Sequence, residues 1–307
     1  MESKPAIEIQ FGERLTPLGH LLRSALTSGP GLLWMLLFLL APLLVMAFLS
    51  FLTRGAYGEL EWPLTLDNYK RLVGFGPLGF DSLYPAIFGR SLALAALTTA
   101  LCVLGGFPLA FFIAGLPPRF KTAALTLVVI PFWTNLLIRT YAWQILLAPE
   151  AGLSKLAASL GLIPPGEPLY PGMFAVAIGM FCDFLPFMVL PLYASMEKLD
   201  WHIVEAAMDL GAGPRQALWH AVLPQVRPGL VAGSVLVFLP ATGQFVIPDL
   251  LGGARTALLG NAIQQQFGAS RDWPFGSAIA MAALGLVMAG LWLQARFAGR
   301  KGEPPTP

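Results

Sequence analysis

Six long apolar runs constrain this chain more than any other feature of its sequence. They cover about residues 32–52, 88–116, 123–147, 171–196, 229–251 and 275–297. A helix of about 20 apolar residues spans the hydrocarbon core of a bilayer, which is about 30 Å thick. Only 12% of the 307 residues are charged, against about a quarter in a typical soluble domain. The sequence therefore predicts an all-α, polytopic membrane protein with six transmembrane helices.

Polar segments divide the chain into three parts. Residues 1–29 form a tail in which leucines recur at helical spacing, which predicts a short interfacial helix. Residues 30–298 form the membrane-spanning domain, and residues 299–307 form a short basic tail. Lys and Arg are in excess in both tails and in segments 117–121 and 197–228, as is typical of cytoplasmic segments. We therefore expect a multi-pass protein with both termini in the cytoplasm.

Prolines within the apolar runs predict bent helices. A proline inside a helix removes a backbone hydrogen bond and clashes with the preceding turn. Membrane helices tolerate single prolines, because neighbouring groups satisfy the freed carbonyls. The prolines cluster in the third to fifth runs, however, at positions 131, 186, 191 and 240. This clustering favours bent helices that line a path across the membrane.

One acidic residue, Asp183, lies well inside the fourth apolar run. A charge at this depth costs about 2.5–3.5 kcal/mol on insertion scales, so a partner or a water-filled cavity should face it. Asp183 either contacts a cationic solute on the path or pairs with Arg139 or a buried backbone donor. Arg139 is itself expected to satisfy carbonyls that the break at Pro131 exposes.

Other residues have side chains suited to a translocation path. Trp133 suits stacking on an extended cation, although a tryptophan near a membrane interface is more often an anchor. Gln244, Phe245 and Asp249 follow one another closely in the fifth run and are further candidates. Asp249 alternatively lies at the outer membrane boundary.

The segment between the fourth and fifth runs is a polar island with helix signals of its own. Asp200 is expected to cap a helix that begins near Trp201. Apolar residues at helical spacing predict one apolar face, formed by Leu199, Ile203, Ala206, Ala207 and Leu210. Glu205 and Asp209 share the other face, because residues four apart are neighbours on a helix.

A turn and a second helix follow in the same segment. Gly211 suits the left-handed position that ends a helix. Gly213 and Pro214 restart one, since proline is tolerated at the first helical position. Pro224 ends the second helix or bends it into the fifth run. The expected product is two short helices joined by a glycine turn.

This segment resembles the cytoplasmic signature loop of binding-protein-dependent ABC importer permeases. That loop reads Glu-Ala-Ala, three residues, Gly, nine residues, Ile, any residue, Leu-Pro. The matching residues are Glu205, Ala206, Ala207, Gly211, Leu223 and Pro224, while Ala221 stands at the position of the Ile. The resemblance implies a type I permease fold in which this loop, Asp209 included, forms coupling helices that dock onto a separate ATPase subunit.

Four further segments are similar to the permeases of spermidine/putrescine importers. They are residues 131–141, 185–193, 240–253 and 271–276, and the resemblance extends from about residue 65 to 297. It implies import of a polyamine or a similar small solute across a bacterial inner membrane. Relatives that carry opines or aminophosphonates look similar, so the solute stays open. Arg271 and Asp272 are expected to pair at the start of the last span, where a binding protein is a possible second contact.

The resemblance also implies a set of partners. They are a second related permease, two copies of an ATPase and an extracytoplasmic solute-binding protein. The chain has no Gly-x4-Gly-Lys-Ser/Thr phosphate loop, so ATP and Mg²⁺ are expected on the ATPase rather than here. No catalytic, cofactor or metal site and no nucleic-acid partner are expected in this chain. Cys102 and Cys182 lie inside apolar runs and are expected to pack as small apolar side chains.

A secondary transporter is the alternative from a different class. It would need its own ion-coupling groups near the middle of the membrane, often on repeated broken helices. Asp183 is a single candidate for such a group, which supports a secondary transporter only weakly, and the sequence shows no internal repeat. A membrane enzyme is the third hypothesis, but the sequence contains no nucleophile–base set and no paired acids that would indicate a catalytic site.

Overall fold

The computed structural model describes residues 17–55, 58–76, 79–161, 164, 169–253 and 257–299, and these are mostly helical. The first helices are α1 (Pro17–Leu49), α2 (Asp67–Val73), α3 (Leu83–Gly115), α4 (Pro118–Trp133), α5 (Leu136–Leu147) and α6 (Gly152–Ser159). The others are α7 (Met173–Met196), α8 (Trp201–Asp209), α9 (Pro214–Ala217), α10 (Leu223–Gly243), α11 (Val246–Leu251), α12 (Leu259–Phe267) and α13 (Trp273–Gly299). Two short antiparallel hairpins pair β1 (Thr53–Arg54) with β2 (Leu60–Glu61) and β3 (Phe75–Gly76) with β4 (Gly79–Phe80).

Helix α1 forms one compact unit, and the chain from Ser50 onward forms another. A short interfacial helix was predicted within residues 1–29. Residues 17–29 form the first part of α1, and the residues before Pro17 lie outside the described part of the chain. Leucines, Trp34 and Phe38 between residues 32 and 40 are exposed on α1. Such a surface suits a helix that lies in lipid.

The helices that are long and apolar enough to span a membrane correspond to the predicted runs. Within the described residues they are Gly29–Leu49, Leu83–Gly115, Met173–Met196, Pro214–Gly243 and Trp273–Trp292. The third predicted run differs, because it is two helices, α4 and α5, bent by 92° at residues 134–135. The described residues therefore contain five candidate spans, and a sixth if the bent pair crosses the membrane.

The fifth predicted run was placed wrongly at both ends. Helix α10 already begins at Leu223 and ends at Gly243 rather than near residue 251. Residues 246–251 form the separate helix α11. Hydropathy does not detect this break, because the residues on both sides of it are apolar.

Helices α3, α7 and α10 form the core of the second unit. Their buried residues include Cys102, Ala110, Met188, Val189 and Val237. Glycines allow the helices to approach closely: a Cβ on Gly233 of α10 would lie 2.8 Å from the Met188 Sδ on α7. Small residues at helix contacts are the usual way in which membrane helices pack, because lipid gives no hydrophobic drive for their association.

Helices α5, α11 and α12 form a layer, here called the distal layer, at the ends of α7 and α10 that are remote from residues 197–222. The Gln144 side chain on α5 donates to the Leu250 carbonyl on α11 at 2.7 Å. The Gly172 N–H, before α7, donates to the Leu251 carbonyl at 3.0 Å. These bonds hold α11 against α5 and the start of α7.

Asp272 is paired differently from the sequence prediction. Its carboxylate, with 4% side-chain exposure, lies 3.0 Å from the Arg71 guanidinium and 3.9 Å from that of Arg54. The expected Arg271–Asp272 pair was therefore wrong. Arg271 is exposed and has a positive φ of 48°, while Asp272 also accepts the Phe275 N–H at 3.2 Å at the start of α13.

Candidate functional site

Residues 200–224 form a helical hairpin, here called the signature hairpin. The Asp200 side chain accepts the His202 N–H at 3.0 Å and caps α8, as predicted. Gly211 adopts the left-handed conformation with φ +87°. The Ala212 N–H donates to the Ala207 carbonyl at 3.0 Å, so the turn provides a hydrogen-bond donor for a carbonyl at the C-terminal end of α8.

The second arm of the hairpin is continuous with α10. The Gly213 N–H donates to the Gln216 Oε1 at 3.1 Å, and α9 begins at Pro214. A π-helical turn over Leu218–Val222 follows and leads directly into Leu223 and Pro224. Proline cannot donate to the preceding turn, and single π turns inside α-helices are frequent at functional sites. Pro224 therefore lies within a continuous path of helix rather than at its end.

Several contacts attach the hairpin to the core. Val204 is buried on α8, as is Leu199 just before it. The Asp200 N–H donates to the Gln225 Oε1 at 3.0 Å. Ring centroids of Trp201 and of Phe111, on α3, lie 6.0 Å apart. A movement of the hairpin must therefore act on α3, α7 and α10.

Most of the apolar face predicted for α8 is exposed. Leu199 is buried, but Ile203 is half exposed and Leu210 is 91% exposed. Other large apolar side chains that point to solvent in the hairpin are Trp201, Met208 and Trp219. Large exposed apolar side chains close together mark a surface that binds another molecule.

The signature residues flank this exposed surface. Glu205, Ala206, Asp209 and Gly211 are exposed at the end of α8, while Ala207 is half-buried. Leu223 and Pro224 form the first turn of α10. The Glu205 carboxylate lies 3.6 Å from the His202 Nδ1, and both side chains are exposed.

Two path candidates, Trp133 and Asp183, lie near the bend between α4 and α5. Asp183 forms an ion pair with Arg139 that is largely buried. The Arg139 Nη1 also donates to the Pro131 carbonyl at 2.7 Å, and Thr134 Oγ1 donates to the same carbonyl at 2.6 Å. The contacts are those of the structural alternative, in which Arg139 neutralises Asp183 and satisfies the freed carbonyl. Trp133 is 79% exposed.

A cavity of about 630 Å³ lies beside this ion pair. It is lined by α3, α4, α5 and α7, including Arg139, Trp143 and Cys182. Most of the lining is apolar, so the Arg139 guanidinium is its principal polar group. Within the described residues, no group of three His, Cys, Asp or Glu side chains suits a metal ion.

The other path candidates lie at the break between α10 and α11. The Gln244 Oε1 accepts the Phe245 N–H at 3.0 Å and the Val246 N–H at 3.4 Å. Asp249 is exposed in the first turn of α11. The Asn261 Nδ2 donates to the Phe245 carbonyl at 3.1 Å and lies 3.5 Å from the Asp249 Oδ1. Sequence reasoning missed Asn261, because it belongs to α12 and an amide in a short amphipathic helix carries no signal by itself.

The comparisons with known proteins agree on one family. Residues 106–302 match the family described as binding-protein-dependent transport system inner membrane components. The chain is 40% identical to the spermidine/putrescine transport system permease protein PotB of Haemophilus influenzae, over 81% of this chain and 84% of that one. It is 40% identical to the PotB protein of Escherichia coli, over 88% of this chain and 97% of that one.

Solved structures show the same fold. A chain from a bacterial ABC transporter involved in the import of alginate aligns with a TM-score of 0.67, covering 92% of this chain and 96% of that one. At 17% identity this likeness concerns the fold alone. The matching proteins are transport components rather than enzymes. With the family match over most of the chain and relatives that span nearly all of it, this chain belongs to the binding-protein-dependent transport system inner membrane components.

Proposed function

We propose that this chain is the permease subunit of an ATP-driven importer for spermidine, putrescine or a closely similar polyamine. The observation that carries this proposal is the 40% identity to spermidine/putrescine permeases over 81–88% of the chain. Four segments also resemble that subfamily, and two of them, residues 131–141 and 240–253, contain the bend between α4 and α5 and the break between α10 and α11. These two segments form parts of the fold where a solute path can open.

The signature hairpin is the surface through which ATP hydrolysis drives this permease. Its exposed apolar side chains, above all Leu210, provide the contact area for an ATPase, and Glu205 and Asp209 provide charge at its edge. ATP and Mg²⁺ bind to that ATPase, because this sequence has no phosphate-binding loop. The buried Val204 side chain and the hydrogen bond from Asp200 to Gln225 pass a movement of the hairpin to the core.

The full importer contains a second related permease, two ATPase subunits and an extracytoplasmic binding protein. The signature hairpin and both termini face the cytoplasm of a bacterial inner membrane. The binding protein delivers the solute at the distal layer, and closure of the ATPases moves the hairpin. The spans then alternate between inward-open and outward-open states, which requires two stable arrangements of packed helices.

The experiment is purification of this chain with its ATPase and binding protein, followed by assay of ATP hydrolysis and uptake in proteoliposomes. We expect hydrolysis to rise, and solute to enter, only with binding protein loaded with spermidine or putrescine. A stable complex that does not respond to polyamines would exclude this solute class. Absence of a complex, together with gradient-driven uptake by the chain alone, would favour a secondary transporter.

A matched pair of glycine variants tests the role of the hairpin. Gly211→Val places a branched side chain at φ +87°, a backbone conformation that costs L residues about 1–2 kcal/mol. We expect about tenfold less ATPase to co-purify, because the turn between the two arms is distorted. Gly213→Val is the control, since its φ of −69° suits any residue and a Cβ there meets nothing within 4 Å. Equal ATPase recovery with both variants would contradict the proposed docking.

A further inference from the structure

The end of α10 is an electronegative site. This 21-residue helix has no basic residue in its last turn and ends at Gly243. The C-terminal end of a helix carries about half a negative charge on its free carbonyls. No described backbone N–H donates to the Gly243 carbonyl. The Gln244 N–H donates to the Ala241 carbonyl at 3.4 Å, and the Gln244 side chain accepts the N–H groups of Phe245 and Val246.

The Asp249 carboxylate adds a full negative charge beside this helix end. One amide, Asn261 Nδ2, bonds the Phe245 carbonyl at 3.1 Å and lies 3.5 Å from the Asp249 Oδ1. The carboxylate and the break are therefore neighbours. Asp249 is exposed, and among the described residues no Lys, Arg or His forms an ion pair with it. The negative end of α10 and the Asp249 carboxylate therefore lie together, and no described basic side chain forms an ion pair with this carboxylate.

Packing fixes this arrangement. A Cβ on Gly260 of α12 would lie 2.5 Å from the Gly243 carbonyl oxygen and 2.9 Å from the Phe245 Cβ. Only glycine therefore lets α12 lie directly on the break and bring Asn261 to it. The Phe245 ring remains partly exposed beside the break, and an aromatic face attracts a cation.

The comparison with Asp183 identifies which acid can receive a cation. Asp183 is buried and paired with Arg139, so its charge is already neutralised within the protein. Asp249 is exposed at the distal end of α10, where a solute that arrives from the side remote from the signature hairpin enters first. An ammonium group has three N–H donors and no acceptor, which matches an exposed carboxylate at the negative end of a helix.

We propose that the break between α10 and α11 binds an ammonium group of the transported solute through Asp249, the negative end of the α10 dipole and the Phe245 ring. This inference rests on the proposed function, since it takes the solute to be a polyamine. Broken membrane helices use their carbonyl ends in this way to bind cations. Asn261 is a positioning residue, because it holds the carboxylate against the break.

The test uses the complete importer in proteoliposomes with binding protein loaded with radiolabelled spermidine or putrescine. The measured quantity is the amount of solute imported per ATP hydrolysed. We expect Asp249→Asn to lower this ratio about tenfold, because the amide keeps an acceptor oxygen but loses the negative charge that strengthens a hydrogen bond to an ammonium group. Asp249→Glu should retain most of it. Glu59→Gln is the control, because it removes an exposed acid from the loop before α2.

The outcomes separate this site from the proposed function. Wild-type uptake of polyamine with an unchanged ratio for Asp249→Asn would overturn the site alone. A parallel fall in complex yield, ATP hydrolysis and uptake, with no rescue by Glu, would make Asp249 a structural residue and also overturn it. A wild-type complex that imports no polyamine would overturn both proposals.

Discussion

Arg139 and Asp183 keep two opposite charges at membrane depth by satisfying each other and the backbone. Asp183 lies on α7 and Arg139 on α5, and both side chains are largely buried. The guanidinium also binds the Pro131 carbonyl in the last turn of α4. The pair therefore joins the bend of the third run to the core helix that leads to the signature hairpin.

Replacing Asp183 with Asn should destabilise the purified permease complex by about 3 kcal/mol. The reason is that the Arg139 charge stays buried without its counter-charge, which costs more than the intact pair contributes. The stability of the double variant Arg139→Met, Asp183→Leu should be closer to that of the wild type, since it leaves no buried charge. Thermal unfolding in detergent measures both, and a double variant less stable than Asp183→Asn would contradict this account.

At the scale of elements, close approach of α7 and α10 depends on glycine. Replacing Gly233 with Ala should destabilise the protein by about 1–3 kcal/mol, the usual cost of overpacking. The added methyl would lie 2.8 Å from the Met188 Sδ and 3.2 Å from the Met188 carbonyl oxygen. Gly285→Ala on α13 is the control, because a Cβ there meets nothing within 4 Å.

Thermal unfolding of the two glycine variants measures whether the added methyl destabilises the contact between α7 and α10. A lower melting temperature for Gly233→Ala than for Gly285→Ala is the expected order. Equal melting temperatures would mean that α7 and α10 are farther apart than the structure shows. The comparison controls for the intrinsic effect of Gly→Ala in a helix, which is favourable where alanine fits the backbone.

Sequence reasoning succeeded for elements whose signals are local. Apolar length located the spans, Asp200 and Gly211 marked the ends of α8, and Pro131 marked the bend of the third run. It does not decide which side of α8 faces the core, because tertiary contacts fix that. Val204 and Leu199 fill the contact with the core, so Ile203 and Leu210 of the predicted apolar face are exposed.

Long-range contacts explain the other failures. Asp272 pairs with Arg71, 201 positions earlier in the chain, and no spacing rule connects such residues. Asn261 reaches the break after α10 because Gly260 packs against Gly243. The break itself is hidden in an apolar run, where hydropathy counts Val246–Leu251 as a continuation of the span. The part of the candidate site that sequence reasoning missed is therefore the part made by helix packing.

For the whole molecule, the number of membrane crossings depends on the bent pair α4–α5. The two helices meet at 92°, so they form either one crossing or a loop that returns to its starting side. The relative sides of two exposed residues distinguish these arrangements. Phe80 lies before α3, and Leu210 lies in the signature hairpin after α7. If α4–α5 crosses, three crossings separate them and they face opposite sides; if it returns, only two separate them and they face the same side.

We expect opposite sides, with Phe80 outside and Leu210 in the cytoplasm, because Arg119 and Lys121 follow α3 and favour the cytoplasm at that end. The measurement introduces Phe80→Cys or Leu210→Cys in a Cys102→Ala, Cys182→Ala background without the ATPase. An impermeant maleimide added to intact spheroplasts should label position 80 but reach position 210 only after permeabilisation. Labelling of both positions from outside would show that α4–α5 does not cross, and the hairpin would then face away from any cytoplasmic ATPase.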